Sequence, residues 1–138
     1  MAARVVSVRL KDGDAARLER QARLLQRSAG ETAALLLTEK LKEEDFPFIE
    51  FRPTMIGRRA FVEGTSLAVW EVVSVARAFD GDSRRVAEHL EWPVEHVEAA
   101  LAYAEAQPGE IDPLVEAVES MTYERLKRTL PGLRLARV

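Results

Sequence analysis

The 138-residue chain has no cysteine, only two histidines and no uninterrupted run of eighteen apolar residues. The lack of cysteine excludes disulfides and thiolate metal sites and fits a cytoplasmic location. The lack of a long apolar run excludes a transmembrane helix, and the N-terminus shows no apolar core of a secretory signal. His89 and His96 lie on different predicted helices with no convergent carboxylate motif, and no phosphate-binding glycine loop is present. We therefore expect no enzyme, no metal and no cofactor.

Charge is distributed unevenly along the chain, although the formal net charge is only −3. Residues 1–44 hold nine Lys and Arg against seven Asp and Glu, whereas residues 45–112 hold six against thirteen. Residues 113–138 hold five against three. If nucleic acid is bound, the first block is the better electrostatic candidate and the middle block is a poor one.

Residues 4–10 alternate between two sets of side chains. Val6, Val8 and Leu10 fall on one side, and Val5, Ser7 and Arg9 fall on the other. This period of two predicts a half-buried strand. The residues after Leu10 look helical and offer no early second strand, and a lone strand has unpaired backbone groups that another chain can pair with. The pattern therefore predicts a dimer joined by a two-stranded antiparallel ribbon.

Two helices are predicted after this strand. The first comes after the turn at Lys11–Asp14, with apolar residues at helical spacing from Ala15 to Leu25. Ser28-Ala29-Gly30-Glu31 matches the capping box that starts a helix, here over roughly 29–43. Four leucines between 35 and 41 are too many for a narrow stripe, so this helix is expected to be buried on two sides, against its own chain and a partner.

This strand, helix, turn and capped helix resemble the ribbon-helix-helix family of transcription factors and antitoxins, over about the first 43 residues. The resemblance implies that outward strand residues read operator DNA and that the start of the second helix holds a phosphate. Val5 departs from the polar residue usual there, and a thymine methyl is its expected partner. The alternative is that the strand only dimerises the protein. The residues expected to bind DNA are Arg4, Val5, Ser7, Arg9, Ser28, Ala29 and Gly30.

Residues 45–112 form a second unit in this interpretation. Two prolines and three phenylalanines at 46–53 predict an extended linker, assigned to 45–56, whose aromatic rings pack against the next domain. Residues 57–112 then predict a short strand, a glycine turn and three helices, the last two joined by a tight turn. This block resembles a small, functionally uncharacterised helix-turn-helix-like domain family. The matching segments are Gly64-Thr65-Ser66-Leu67-Ala68-Val69-Trp70 and Trp92-Pro93 through Ala100-Leu101-Ala102-Tyr103.

The second resemblance departs from the family pattern at Ser66, where arginine is common, and at Ala68, where proline is common. Members of that family are often antitoxins paired with PIN-like nuclease toxins. The helix that would read DNA carries Glu95 and Glu98 on its exposed side, which would repel phosphates. A scaffold, dimerisation or partner-docking role is therefore favoured for this unit over DNA binding.

The last block, residues 113–138, is predicted to hold a helix that begins at Asp112-Pro113 and breaks at Pro131-Gly132. A tail of alternating basic and apolar residues comes after it. In VapB-type antitoxins such a tail commonly obstructs a carboxylate-rich nuclease site, and the resemblance implies the same here. The alternative is an ordinary frayed terminus. The expected partner-binding residues are Leu126, Leu130, Arg134, Leu135 and Arg137.

Together these patterns predict a mainly α protein with a short β-ribbon: an N-terminal ribbon-helix-helix dimer plus a small helix-turn-helix-like helical domain. The expected function is that of a cytoplasmic antitoxin, a homodimer or higher even-numbered oligomer. It would repress its own operon and neutralise a PIN-like ribonuclease. Two alternatives stay open, a dimeric transcription regulator without a toxin and an adaptor whose ribbon never meets DNA.

Overall fold

The computed structural model describes residues 3–129, which are mainly helical with one small antiparallel sheet. The helices and strands of this part run in the order α1 (Asp12–Leu25), α2 (Ala29–Asp45), β1 (Ile49–Thr54), β2 (Gly57–Val62), α3 (Val69–Ala78), α4 (Ser83–Leu90), α5 (Val94–Ala106) and α6 (Pro108–Thr129). The chain divides into two compact units, Met1–Glu44 and Asp45–Val138. Among the helices described, none combines the length and apolarity needed to cross a bilayer.

The first unit contains α1 and most of α2, joined by a tight left-handed turn. Gln26 adopts φ 54°, and the N–H of Arg27 donates to the carbonyl of Ala22 at 3.0 Å. The N–H of Gln26 also donates to the carbonyl of Arg23, at 3.2 Å, and these two hydrogen bonds end α1 just before the Ser28 cap of α2. The two helices predicted for this unit, with a tight turn between them, are therefore present.

The described part of the second unit, up to Thr129, is built on a β-hairpin and four helices. Strand β1 pairs with β2 in register, from Ile49 opposite Val62 to Thr54 opposite Gly57. The core of the unit contains residues from both strands and from all four helices. Its fully buried side chains include Val62, Val69, Val72, Val86, Val97, Tyr103, Ile111 and Val115.

The structure has a strand, β1, within the segment 45–56, where an extended linker was expected. Residues 49–54 are hydrogen-bonded to β2, and Pro53 lies at the exposed end of the hairpin, where a missing N–H is tolerated. The aromatic rings of this segment do pack within the second unit. Phe46 meets Tyr103 edge to face with ring centroids 5.0 Å apart, and Phe51 meets the same ring at 6.3 Å.

The start of α6 corrects a second expectation. The sequence predicts that the last helix begins at Asp112-Pro113, but a single helix begins at Pro108 and contains Pro113 in its interior. Proline at a first helical position costs no hydrogen bond, so Pro108 starts the helix. Ile111 and Val115 of this helix belong to the core, and their burial supports continuity through Pro113.

Candidate nucleic-acid interface

Residues 3–10, which include most of the expected DNA readers, are exposed along their whole length. Val5 is 96% exposed, Val6 78% and Val8 72%. Within one chain these residues carry no regular secondary structure. A strand whose only mate is a second copy has no hydrogen-bonded partner in a single chain, so the ribbon stays a prediction. Arg4, Ser7 and Arg9 share the same exposed segment.

The start of α2 brings together the second group of expected DNA contacts. The Oγ of Ser28 accepts a hydrogen bond from the N–H of Glu31 at 3.1 Å, which is the first half of the predicted capping box. Ser28, Ala29 and Gly30 are all exposed. Amides of a first helical turn have no intrahelical acceptor and lie at the positive end of the helix dipole. This turn therefore has the chemistry to hold a phosphate, opposed in part by the Glu31 carboxylate.

Helix α1 and the turn after it present exposed cations that the sequence patterns did not assign to DNA. Arg20, Arg23 and Arg27 are exposed, and Arg27 immediately precedes the Ser28 cap. Arg17 is also exposed, but its guanidinium pairs with Asp14 at 2.9 Å. The spacing of these arginines is visible in the sequence, and the left-handed turn at Gln26 separates those on α1 from the Ser28 cap.

The first unit also exposes apolar side chains that a folded monomer would normally bury. Leu10 on the N-terminal segment, Leu24 on α1, and Leu37 and Leu41 on α2 are all exposed. Within the described part of this unit, the buried residues are Ala22, Thr32 and Glu39. The predicted burial of α2 on two sides is therefore not achieved within one chain.

The second unit contains the pair of helices, α4 and α5, whose sequence resembles a helix-turn-helix-like motif. Asp82 caps α4 by accepting from the N–H groups of Arg84 and Arg85, at 3.1 and 3.3 Å. Glu95 and Glu98 on α5 are exposed, as expected. These two carboxylates would repel phosphates, and whether α5 approaches DNA stays a prediction.

Both histidines contact aromatic rings. His96 stacks on Phe48 with ring centroids 4.4 Å apart, and His89 lies 5.2 Å from the ring of Phe79. Phe48 adopts φ 65°, a left-handed conformation unusual for a bulky residue. Over residues 3–129, no three His, Asp or Glu side chains converge in a way that would hold a metal ion.

A groove of about 620 Å³ opens beside His96. Its walls are the turn between β2 and α3 and the turn between α4 and α5. Trp92 and Leu67 supply apolar surface, and the Nδ1 atom of His96 is buried without a hydrogen-bond partner. These two turns correspond to the two segments that carry the resemblance to the helix-turn-helix-like family, and their proximity was not predicted from the sequence.

The expected partner-binding residues fall at the far end of the chain. Leu126 lies on α6, but its side chain is outside what the structure describes. Leu130, Arg134, Leu135 and Arg137 all lie outside the described residues. Their assignment to a partner stays a prediction.

Comparisons with known proteins return nothing: no family model matches the chain, and no curated protein or solved structure does.

Proposed function

We propose that this chain is a dimeric DNA-binding antitoxin that represses its own operon and neutralises a PIN-like ribonuclease. One observation carries the DNA-binding part. The first unit exposes a row of apolar side chains from Val6 to Leu10, together with Leu24, Leu37 and Leu41, while it buries few residues of its own. A unit of about 44 residues in this state is too small to be stable alone.

A second copy of the chain would provide both a partner for the strand and a cover for the exposed apolar side chains of the first unit. Antiparallel pairing of residues 4–10 with their mates would supply the missing backbone hydrogen bonds and place Val6, Val8 and Leu10 on one face. That face would cover the exposed leucines of α1 and α2. The product is the ribbon-helix-helix arrangement, in which a pair of strands and two pairs of helices share one core.

The opposite face of the ribbon would carry Val5, Ser7 and Arg9 into the major groove, which admits a two-stranded ribbon. Arg9 has the geometry to pair bidentately with guanine, and Ser7 can donate or accept at several bases. The amides of Ser28, Ala29 and Gly30 would fix the protein on a phosphate, supported by Arg27 and by Arg4 of the same unit.

The second unit is proposed to dock the toxin or to assemble the oligomer. Its helices α4 and α5 are separated by the short turn Glu91–Pro93 after the longer α3, an order that supports a helix-turn-helix-like domain. The acidic side chains on α5 argue against a second reading helix. Toxin neutralisation is assigned to the basic end of α6 and the tail that includes Arg134 and Arg137, because these basic residues suit a carboxylate-rich nuclease site.

A stand-alone regulator is the second candidate, favoured by the groove beside His96, which offers the second unit a place for a small ligand. Co-expression with the product of the adjacent gene separates the two proposals. The antitoxin proposal expects a small nuclease to co-purify with the full chain and to lose its ribonuclease activity in the complex. It fails if the neighbouring gene encodes no nuclease or the two proteins elute separately.

The structure also determines where the chain can be shortened in that experiment. Truncation after Pro108 would remove Ile111 and Val115 from the core and unfold the second unit. Truncation after Thr129 removes only residues outside the described part. The shortened protein should bind DNA like the full chain but release the nuclease, and unchanged inhibition of the nuclease would refute the role given to the tail.

A further inference from the structure

Three arginines follow one another along the second half of α1 and into the turn after it. Arg20 and Arg23 lie on α1, and Arg27 lies between the end of α1 and the Ser28 cap of α2. All three side chains are exposed. Within residues 3–129, none of their guanidinium groups forms an ion pair or a hydrogen bond. These residues, called the arginine row below, therefore present three positive charges that the described part of the chain does not neutralise.

Other exposed cations of the first unit are paired. The guanidinium of Arg17 lies 2.9 Å from the Asp14 carboxylate, and the Nζ of Lys40 lies 3.2 Å from the Glu44 carboxylate. Both pairs are local, with the acid three or four residues away along a helix, the spacing at which opposite charges attract. The arginine row thus differs from cations of the same unit that are compensated by their neighbours.

The stability of α1 does not account for the arginine row. A cation near the end of a helix interacts favourably with the helix dipole, and this explains Arg23, which lies in the last turn. Arg20 precedes that turn, and Arg27 lies beyond the helix. Glu19 is four residues before Arg23, yet the two side chains form no ion pair within the described residues. Like charges three or four residues apart repel, so an external polyanion would relieve a repulsion that the isolated unit carries.

The part of the row on α1 lies on the side of the helix away from its buried face. Ala22 is buried, and Leu18 and Leu25 are half-buried. Arg20 is two residues from both Leu18 and Ala22, and Arg23 is two residues from both Ala22 and Leu25. Two residues correspond to about 200° around an α-helix, so both arginines face away from these side chains. A dimer core built on the buried face would leave the row in solvent.

We propose that Arg20 and Arg23 bind the phosphate backbone of duplex DNA, next to the phosphate assigned above to Arg27 and the first turn of α2. This contact rests on the DNA-binding part of the proposed function and lengthens its footprint. Arg20 and Arg23 are about 4.5 Å apart along the helix axis, and phosphates of one strand recur about every 3.4 Å along a duplex. A regular line of anions suits a row of cations that ends beside a phosphate site. Contacts of this kind position a protein on DNA without reading its sequence.

The contact is tested with the full chain and a labelled random duplex of about 30 base pairs, titrated by fluorescence anisotropy between about 50 and 200 mM KCl. The double variant R20A/R23A should reduce the slope of log affinity against log salt by about 1–2 for each chain bound, and lower affinity about 10-fold or more. The matched control R17A/K40A removes two exposed cations of the same unit that are already paired, and should keep the wild-type slope. Equal slopes for R20A/R23A and wild type would overturn the proposal.

A charge-conserving variant separates a phosphate contact from a structural effect. Lysine binds a phosphate as a point charge, so R20K/R23K should restore the wild-type salt slope. Alanine is the strongest helix former, so circular dichroism of R20A/R23A should show at least the helix content of wild type. A loss of affinity that R20K/R23K does not restore would overturn the proposal in favour of a structural role for the two arginines.

The same titrations distinguish failure of this contact from failure of the proposed function. If wild-type protein binds neither the random duplex nor any duplex selected from a random library, both are refuted. If wild-type protein binds and R20A/R23A keeps its slope, only this contact is refuted. The loss in R20A/R23A should be equal for a selected duplex and its scrambled form, because phosphates carry no sequence information. Loss of nuclease co-purification by R20A/R23A, with DNA binding unchanged, would overturn the proposal in favour of a protein partner.

Discussion

The hydroxyl of Tyr103 donates a hydrogen bond to Oε2 of Glu110 at 2.5 Å and so joins α5 to the first turn of α6. Tyr103 is fully buried, and its ring makes edge-to-face contacts with Phe46 and Phe51. Tyr103 on α5 therefore contacts three other parts of the second unit: the segment before β1, strand β1 and helix α6. The turn at Gln107, whose carbonyl accepts from the N–H groups of Glu110 and Ile111, positions the carboxylate.

Removal of the Tyr103 hydroxyl should measure how much this connection stabilises the second unit. Tyr103→Phe keeps the ring but loses a hydrogen bond to a charged acceptor, so we expect the free energy of unfolding to fall by about 1–2 kcal/mol. Urea denaturation followed by circular dichroism would measure it. The double variant with Glu110→Ala should be little worse than Glu110→Ala alone, and simple additivity of the two losses would show that the bond contributes nothing.

The proline inside α6 should lower the stability of this helix. Pro113 is exposed and cannot donate an N–H to the carbonyl four residues earlier, so Pro113→Ala should raise the free energy of unfolding by about 1–3 kcal/mol. Pro108→Ala is the matched control, because a proline at the first helical position removes no bond and its replacement should change stability by less than about 0.5 kcal/mol. A stabilising effect of the same size at both positions would contradict this explanation.

The helices were predictable where their signals are local. Local signals mark the starts of α3, α4 and α5: apolar residues at helical spacing from Val69, Asp82 or Ser83 as a cap, and Trp92-Pro93. Strand β1 was not predicted, because two prolines argued against regular structure and the pairing partner comes later in the chain. The junction at Pro108 was missed for a related reason: Pro-Gly can end one helix or begin the next, and only the burial of Ile111 decides between them.

The residues of the candidate site could be predicted from the sequence, but their arrangement in space could not. The alternation of residues 4–10 and the Ser28 cap can be read from the sequence, since both depend on neighbours along the chain. The partner of the strand belongs to another molecule, so neither the sequence nor one folded chain contains its geometry.

The two faces of the predicted strand should respond differently to a buried charge. Val8→Asp would place a carboxylate in the apolar face of the ribbon, where an unpaired charge is costly, and should convert the dimer to a monomer at micromolar concentration. Val5→Asp puts the same charge on the opposite face and should leave the dimer intact. Sedimentation equilibrium would distinguish the species. Dissociation by both variants, or by neither, would contradict the alternation on which the ribbon depends.

Sequence-specific DNA recognition should depend mainly on Arg9. A duplex selected by the wild-type protein from a random library provides the probe, and a scrambled duplex provides the reference. Loss of a bidentate contact to guanine should weaken binding of the selected duplex by about 1–3 kcal/mol in Arg9→Ala, with a smaller effect on the scrambled one. Arg9→Lys keeps the positive charge but not the planar pair of donors, so it should restore scrambled-duplex affinity without restoring discrimination. If both variants discriminate as well as wild type, the strand dimerises the protein without reading bases through this residue.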